Sequence, residues 1–217
     1  MSLSLGIDVG TSGVRTAVLT AQGDVLPMAR TDHVAQKKDY IDADGWWRAV
    51  QTCILRQIEI LWAEGFSPLD ITGIAVDGTS GTMVLTDINL RPVTRALMYN
   101  SSGFDTEAAM IARFAPDLHI TRGSASALAR AMRLAAEDVD HAACHLLHQA
   151  DFIAAKLMGQ VGSLIITTRL KPGLTQKQKC GQTGLRRASS NPPCCQRSGQ
   201  LVHNWQQSTR KWPQNWD

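Results

Sequence analysis

The sequence predicts an α/β domain in which a mixed sheet is flanked by helices. Three observations carry that prediction. The first 31 residues read as strand, Gly-rich turn, strand, turn and strand. Apolar residues then recur with helical spacing from Trp46 to Trp62. A compact apolar run at 71–76 returns to strand, and helical patterns dominate from residue 105 onward.

Residues 3–9 form a short apolar run closed by Gly10, the pattern of a buried strand. Residues 14–20 are rich in β-formers, Ala21-Gln22-Gly23-Asp24 is a turn, and 25–31 return as a third strand. This is an antiparallel meander. Asp42-Ala43-Asp44-Gly45 supplies N-cap chemistry, because a carboxylate there accepts from a backbone N–H left free at a helix start. Trp47, Val50, Ile54, Ile58, Leu61 and Trp62 make the apolar stripe of the helix, and Gly65 ends it. The strand at 71–76 stops at Asp77-Gly78-Thr79-Ser80, and 82–86 form another. Helices are expected at about 105–114, 126–136 and 146–158. A Rossmann domain would place a helix straight after the first Gly-rich turn. Here Val14 and the residues after it read as strand. The order therefore points to a ribonuclease H-like or actin-like domain.

Composition excludes several classes. Of the 217 residues, 44% are apolar and 19% charged, which suits a packed protein rather than a disordered one. No apolar run reaches the ~18 residues that cross a bilayer. The N-terminus has no basic residue ahead of its apolar stretch, which carries Asp8, so it makes a poor signal peptide. A cytoplasmic protein without membrane partners is expected. The five cysteines contain no Cys-x-x-Cys pair and no His cluster completes a metal site, so reduced thiols are the simple reading.

The chemistry concentrates in the first turn. Gly6-Ile7-Asp8-Val9-Gly10-Thr11-Ser12-Gly13 joins the first two strands. Phosphate binding at a tight turn needs small residues that let backbone N–H groups approach, and hydroxyls that donate. Gly10, Thr11, Ser12 and Gly13 meet both needs. A carboxylate to hold Mg²⁺, often through water, is the third need, and Asp8 fits it. An ordinary Gly-Ser hairpin with an incidental Asp would carry the same residues, so the motif alone leaves that alternative open. Arg15 could face a phosphate, but a solvated strand residue is the simpler reading. His148 and Asp151 could form an acid–base pair on the last helix, although a structural polar contact is simpler.

"GIDVGTSGVRTAVL" resembles the first phosphate motif of the FGGY carbohydrate kinases, which share the actin, Hsp70 and hexokinase superfold. "DADGWWRAV" resembles the start of that family's first long helix, and "ITGIAVDGTSGTMVLTD" its second strand pair. "ALMYNSS" sits where the family places sugar-contacting residues, and "HQADFIAAKLMG" resembles the helix leading into the last part of the N-terminal lobe. Each motif is weak, but their order and spacing over about 3–163 are specific. The resemblance implies an actin-like ATPase N-terminal lobe over 1–163, with ATP and Mg²⁺ as cofactors and a small-molecule sugar as substrate. Xylulokinases of bacterial type tend to carry Met-His-Gly after the second strand. Asp77-Gly78-Thr79-Ser80 looks more like pentulose kinases of cyanobacterial and plant type, which implies D-ribulose. Sugar contacts are then implied at Asp77, Gly78, Thr79 and Ser80, and at Tyr99 and Asn100. A cap after a strand and a wall-and-turn pair are the respective structural alternatives.

The last quarter has a different character. Residues 1–163 hold 13 Lys and Arg against 18 Asp and Glu, a net of −5, whereas 164–217 hold 9 against 1, a net of +8. Apolar periodicity disappears after Gly162. The family follows its helix with a stretch like Asp-Tyr-Asn-Asn-Ala-Leu-Lys-Thr-Gly. Reading the last base of each codon with the first two of the next makes Leu164 to Gly173 compatible with that stretch. The tail is therefore expected to be out of frame, basic and unpacked. A nucleic-acid-binding arm is the weaker account, because the charges are scattered and match no module. The resemblance implies a second lobe that holds most of the ATP, and a general-base Asp late in the first lobe. No position after 163 matches that base, so it is assigned to no residue, and the chain is expected to be a truncated, inactive kinase lobe. The alternative is a non-catalytic fragment or sugar-binding module.

Overall fold

Alternation builds the first strand: Leu3, Leu5, Ile7 and Val9 of β1 (Leu3–Val9) are buried, while Ser4 and Asp8 stay on the open face. The computed structural model describes residues 2–33 and 42–161, and the basic tail expected at 164–217 lies outside them. β1 pairs antiparallel with β2 (Gly13–Thr20), and β2 pairs antiparallel with β3 (Ala29–Asp32). The chain then crosses through α1 (Ala43–Ala63) to β4 (Ile71–Gly78), which lies parallel to β1. The sheet order is β3-β2-β1-β4, a mixed sheet with helices packed on its buried face, as the sequence predicts.

α1 starts where the capping argument places it. The Asp42 carboxylate accepts from the Asp44 N–H at 2.9 Å, and Gly65 takes a positive φ just past the helix end. Trp46, Val50, Cys53, Ile54 and Leu61 of α1 are buried in the core with the inward residues of β1 and β2. Burial of each large apolar side chain stabilises by roughly 1.5–3 kcal/mol.

A second, smaller core surrounds β5 (Met83–Thr86) and β6 (His145–His148), which pair antiparallel. It contains Met83, Leu85, Leu97, Phe104, Ile111, Ala129 and Leu134, contributed in part by α2 (Asp105–Ala112) and α3 (Ala127–Glu137). α4 (Gln149–Met158) follows β6 and closes on Gly159, which takes φ +69°.

Two elements differ from expectation. The third strand begins at Ala29 rather than Val25. Val25 makes only an isolated bridge to Leu19, and Pro27, between Val25 and Ala29, has no N–H to give a ladder. The last helix begins at Gln149 rather than 146. Leu146, Leu147 and His148 pair with β5 instead, which buries Leu147 and satisfies the backbone of both strands. Among the described residues no helix is long and apolar enough to cross a membrane.

Candidate functional site

Sheet register sets the first feature of the site. Asp8 pairs with Arg15 across β1–β2 and with Asp77 across β1–β4. Residues directly opposite in a ladder project to the same face. Asp8 and Asp77 therefore stand side by side at the carboxyl ends of two parallel strands, on the open face. The Asp8 carboxylate is half exposed and lies 3.5 Å from the Arg15 guanidinium. Arg15 is thus a solvated strand residue, as read from the sequence, and it is also the ionic neighbour of Asp8.

The hairpin Gly10–Gly13 leads from Asp8 into β2. Its Gly10 N–H donates to the Gly13 carbonyl at 2.9 Å, which leaves Thr11 and Ser12 exposed at the tip. Gly13 is required by β3: a Cβ there would lie 2.4 Å from the Thr31 carbonyl oxygen. His33, just past β3, braces the turn from behind. Its backbone N–H donates to the Ser12 carbonyl, and its Nε2 lies 3.0 Å from the Gly10 carbonyl oxygen, a contact in which the ring must donate.

The second turn starts at Asp77. The Asp77 carboxylate accepts from the Gly78 N–H at 2.9 Å, and Gly78 lies against the first turn of α4, where a Cβ would approach the Ala150 nitrogen to 3.0 Å. Gln149, buried at the start of α4, accepts from both the backbone N–H and the hydroxyl of Thr79, at 2.9 and 2.5 Å. Ser80 is exposed at the tip. The Thr82 N–H closes the turn on the Thr79 carbonyl, and the Thr82 hydroxyl accepts from the Tyr99 N–H at 3.0 Å. Tyr99 and Asn100 are exposed in the middle of a turn closed by the Ser101 N–H on the Met98 carbonyl.

The sequence-predicted residues therefore fall into two joined sets. β1 and β4 bring Asp8 and its hairpin beside Asp77, and Thr82 ties the 77–80 turn to Tyr99. His148 and Asp151 do not share a helix: His148 ends β6 and Asp151 lies in the first turn of α4. Sequence reasoning missed His33, Gln149 and Arg130, which hold the turns without lying at their tips. Arg130 alone carried a signal, a charged residue in the Ala127–Arg130–Leu134 register of a helix's buried face.

The donor set fits a divalent cation of the magnesium kind. Such an ion keeps most of its waters and takes one or two protein carboxylates with substrate phosphates. Asp8 is solvated and already faces a cationic group, and Asp77 stands beside it.

Residues 3–117 match the model of the FGGY family of carbohydrate kinases, N-terminal domain. The chain is 27% identical over 106 residues to a xylulose kinase of Staphylococcus xylosus, covering 47% of this chain and 21% of that protein. It is 25% identical over 125 residues to the xylulose kinase of Escherichia coli K12, covering 55% of this chain and 25% of that protein. Among solved structures it superposes on a Brucella ovis xylulose kinase with TM-score 0.60 at 20% identity, over 70% of this chain and 34% of that one. A Rhodospirillum rubrum xylulose kinase gives TM-score 0.63 at 16% identity, over 73% and 35%. A Plasmodium falciparum glycerol kinase gives 0.62 at 12%, over 74% and 35%. These likenesses establish the fold, an actin-like N-terminal lobe, and the matches span a fifth to a third or so of the relatives' own lengths.

Proposed function

This chain belongs to the FGGY family of carbohydrate kinases, and from that premise we propose that its described lobe holds the acceptor sugar for ATP- and Mg²⁺-dependent phosphorylation of a pentulose, D-xylulose or D-ribulose. The observation that carries the reading is the side-by-side placement of Asp8 and Asp77 at the ends of β1 and β4. One carboxylate then serves the phosphate side and the other the sugar side of a single cleft.

Each residue has a defined task on this reading. Asp77 accepts hydrogen bonds from sugar hydroxyls, and the exposed Ser80 hydroxyl supplies a further polar contact. Tyr99 and Asn100 frame the opposite wall. Thr11 and Ser12 offer hydroxyls to the phosphate chain, with Gly10 and Gly13 keeping the turn small. Asp8 holds Mg²⁺ through water, and the bound ion would neutralise charge on the transferred phosphoryl group. Arg15 keeps Asp8 compensated when that ion is absent. No position after residue 163 matches the family's general base, so the 217-residue polypeptide on its own is expected to bind sugar without turning it over.

Calorimetric titration of the 217-residue chain with D-xylulose, D-ribulose and glycerol tests the reading. One of the pentuloses is expected to bind more tightly than glycerol, and Asp77→Asn to weaken that binding at least tenfold. No heat with either pentulose, or binding indifferent to Asp77→Asn, overturns the assignment of the sugar side. A coupled assay for pentulose-dependent ADP release is expected to read zero, and release would overturn the inactivity alone.

A further inference from the structure

α3 carries two arginines with opposite surroundings. Arg133 faces the Glu107 carboxylate with two hydrogen bonds, at 2.6 and 3.0 Å. Arg130 is 4% exposed, and among the described residues no carboxylate pairs with it. Its Nε donates to the Gly81 carbonyl at 3.1 Å, and one terminal nitrogen donates to the carbonyls of Ala125 at 2.9 Å and Ser101 at 3.3 Å. Burial pushes its pKa down with no anion to oppose the shift. A buried cation without a counter-ion is costly, and an apolar side chain of similar volume would fill the same space more cheaply. What such a side chain could not do is join three main-chain carbonyls from separate segments.

Two of those carbonyls have a common location, while Ala125 lies just ahead of α3 itself. Gly81 belongs to the turn after Asp77-Gly78-Thr79-Ser80, and Ser101 closes the turn holding Tyr99 and Asn100. Gly81 takes φ +90°, and a Cβ there would lie 3.1 Å from the second terminal nitrogen of Arg130 and 3.6 Å from Cβ of Tyr99. The planar fork thus sits directly behind the point where the two turns meet. On the reading that these turns hold the sugar, we propose that Arg130 is the positioning residue that locks them into one preorganised wall, setting sugar affinity without touching the sugar. A guanidinium suits this task because its donors leave in a fixed plane, whereas an ammonium offers a single rotating point.

The test uses Arg130→Met, Arg130→Lys and Glu107→Gln in the 217-residue chain. Glu107→Gln loosens the same small core without reaching either turn, so it controls for stability alone. Calorimetry with D-xylulose and D-ribulose is expected to show at least tenfold weaker binding for Arg130→Met and partial recovery for Arg130→Lys. Glu107→Gln is expected to stay within twofold of the parent while lowering Tm. Amide hydrogen exchange supplies a readout that needs no sugar and also serves if Arg130→Met does not fold. In Arg130→Lys the amides of Thr82, Tyr99 and Ser101 are expected to exchange at least tenfold faster, with the β1–β2 ladder unchanged. Unchanged exchange at those three amides overturns the proposal, as does sugar affinity that follows Tm equally in Arg130→Lys and Glu107→Gln. A parent chain that binds neither pentulose sinks the sugar reading instead, and the exchange data still decide whether Arg130 couples the turns.

Discussion

Around the four-stranded sheet, α1 and α4 meet the strands almost wholly through apolar side chains, whereas around β5, β6, α2 and α3 arginines span the packing. In the first region Trp46 meets Phe152 edge-on, with ring centroids 6.3 Å apart. Leu3, Leu5, Val9, Val14, Val18 and Ile54 fill the space beneath. In the second, Arg95 grips Glu137, Arg133 grips Glu107 and stacks over Phe104, and Arg130 gathers carbonyls. The difference teaches how work is divided in the lobe. Dispersion and burial are non-directional and hold the scaffold under Asp8 and Asp77. Hydrogen bonds from guanidinium groups have fixed directions, and those of Arg130 hold stretches of irregular backbone in place.

The largest blow to that contrast falls on the apolar region. Phe152 is fully buried and joins α4 to α1, so Phe152→Ala is expected to cost about 3–5 kcal/mol in urea unfolding. A loss under ~1 kcal/mol would mean that α4 is not anchored by the sheet core, and the contrast would fail. The next largest effect sharpens it, because buried polar groups also sit inside the apolar region, Gln57 and Thr16 among them. Gln57 of α1 accepts from the Thr16 hydroxyl and the Ala29 N–H, both at 3.0 Å, and donates to the Pro27 carbonyl at 2.9 Å. It therefore fastens the first residue of β3 to the helix. Gln57→Leu would leave a buried donor unpaired, at about 1–3 kcal/mol. The measurement is again urea unfolding, with exchange of the Ala29 amide as the local probe. Protection retained at Ala29 would show that β3 does not depend on this link.

Legibility in the sequence follows the same division. β1 and β2 were readable because strict alternation leaves one register in which Leu3, Leu5, Ile7, Val9, Val14 and Val18 all turn inward. The long stripe of α1 and its Asp42 cap were readable for the same reason. The Asp8 and Asp77 turns stood out by composition, and their residues are adjacent because the parallel crossover brings two strand ends together. Leu146 and Leu147 misled because three apolar or polar residues before a helix carry no period of their own, and only the partner strand β5 decides their state. Gln57, Gln149 and His33 were invisible as functional supports, whereas Arg130 showed only as a charge on the buried face of α3. The side-chain partners of Gln57, Gln149 and His33 are main-chain atoms 23 to 70 residues away, together with two threonine hydroxyls, and no local pattern encodes such a match.

The smallest expected effect separates the two regions by pH. Two hydrogen bonds from Arg133 hold the Glu107 carboxyl below its usual range, despite an opposing push from burial. A carboxylate with a depressed folded pKa contributes stability that is present above its unfolded pKa, about 4.3, and is lost as pH falls through the lower folded value. Glu107→Gln removes that contribution, so its urea midpoint is expected to lie below the parent's at pH 7 by less than that of Gln57→Leu. The gap should narrow as pH drops below about 4, because the parent protonates the group and the variant has nothing to lose. Gln57→Leu carries no ionisable group and should keep a constant gap across the same range. A Glu107→Gln gap that stayed constant into acid would mean that Arg133 holds α2 and α3 by its alkyl chain and its place over Phe104, and the second region would then be apolar in its energetics as well.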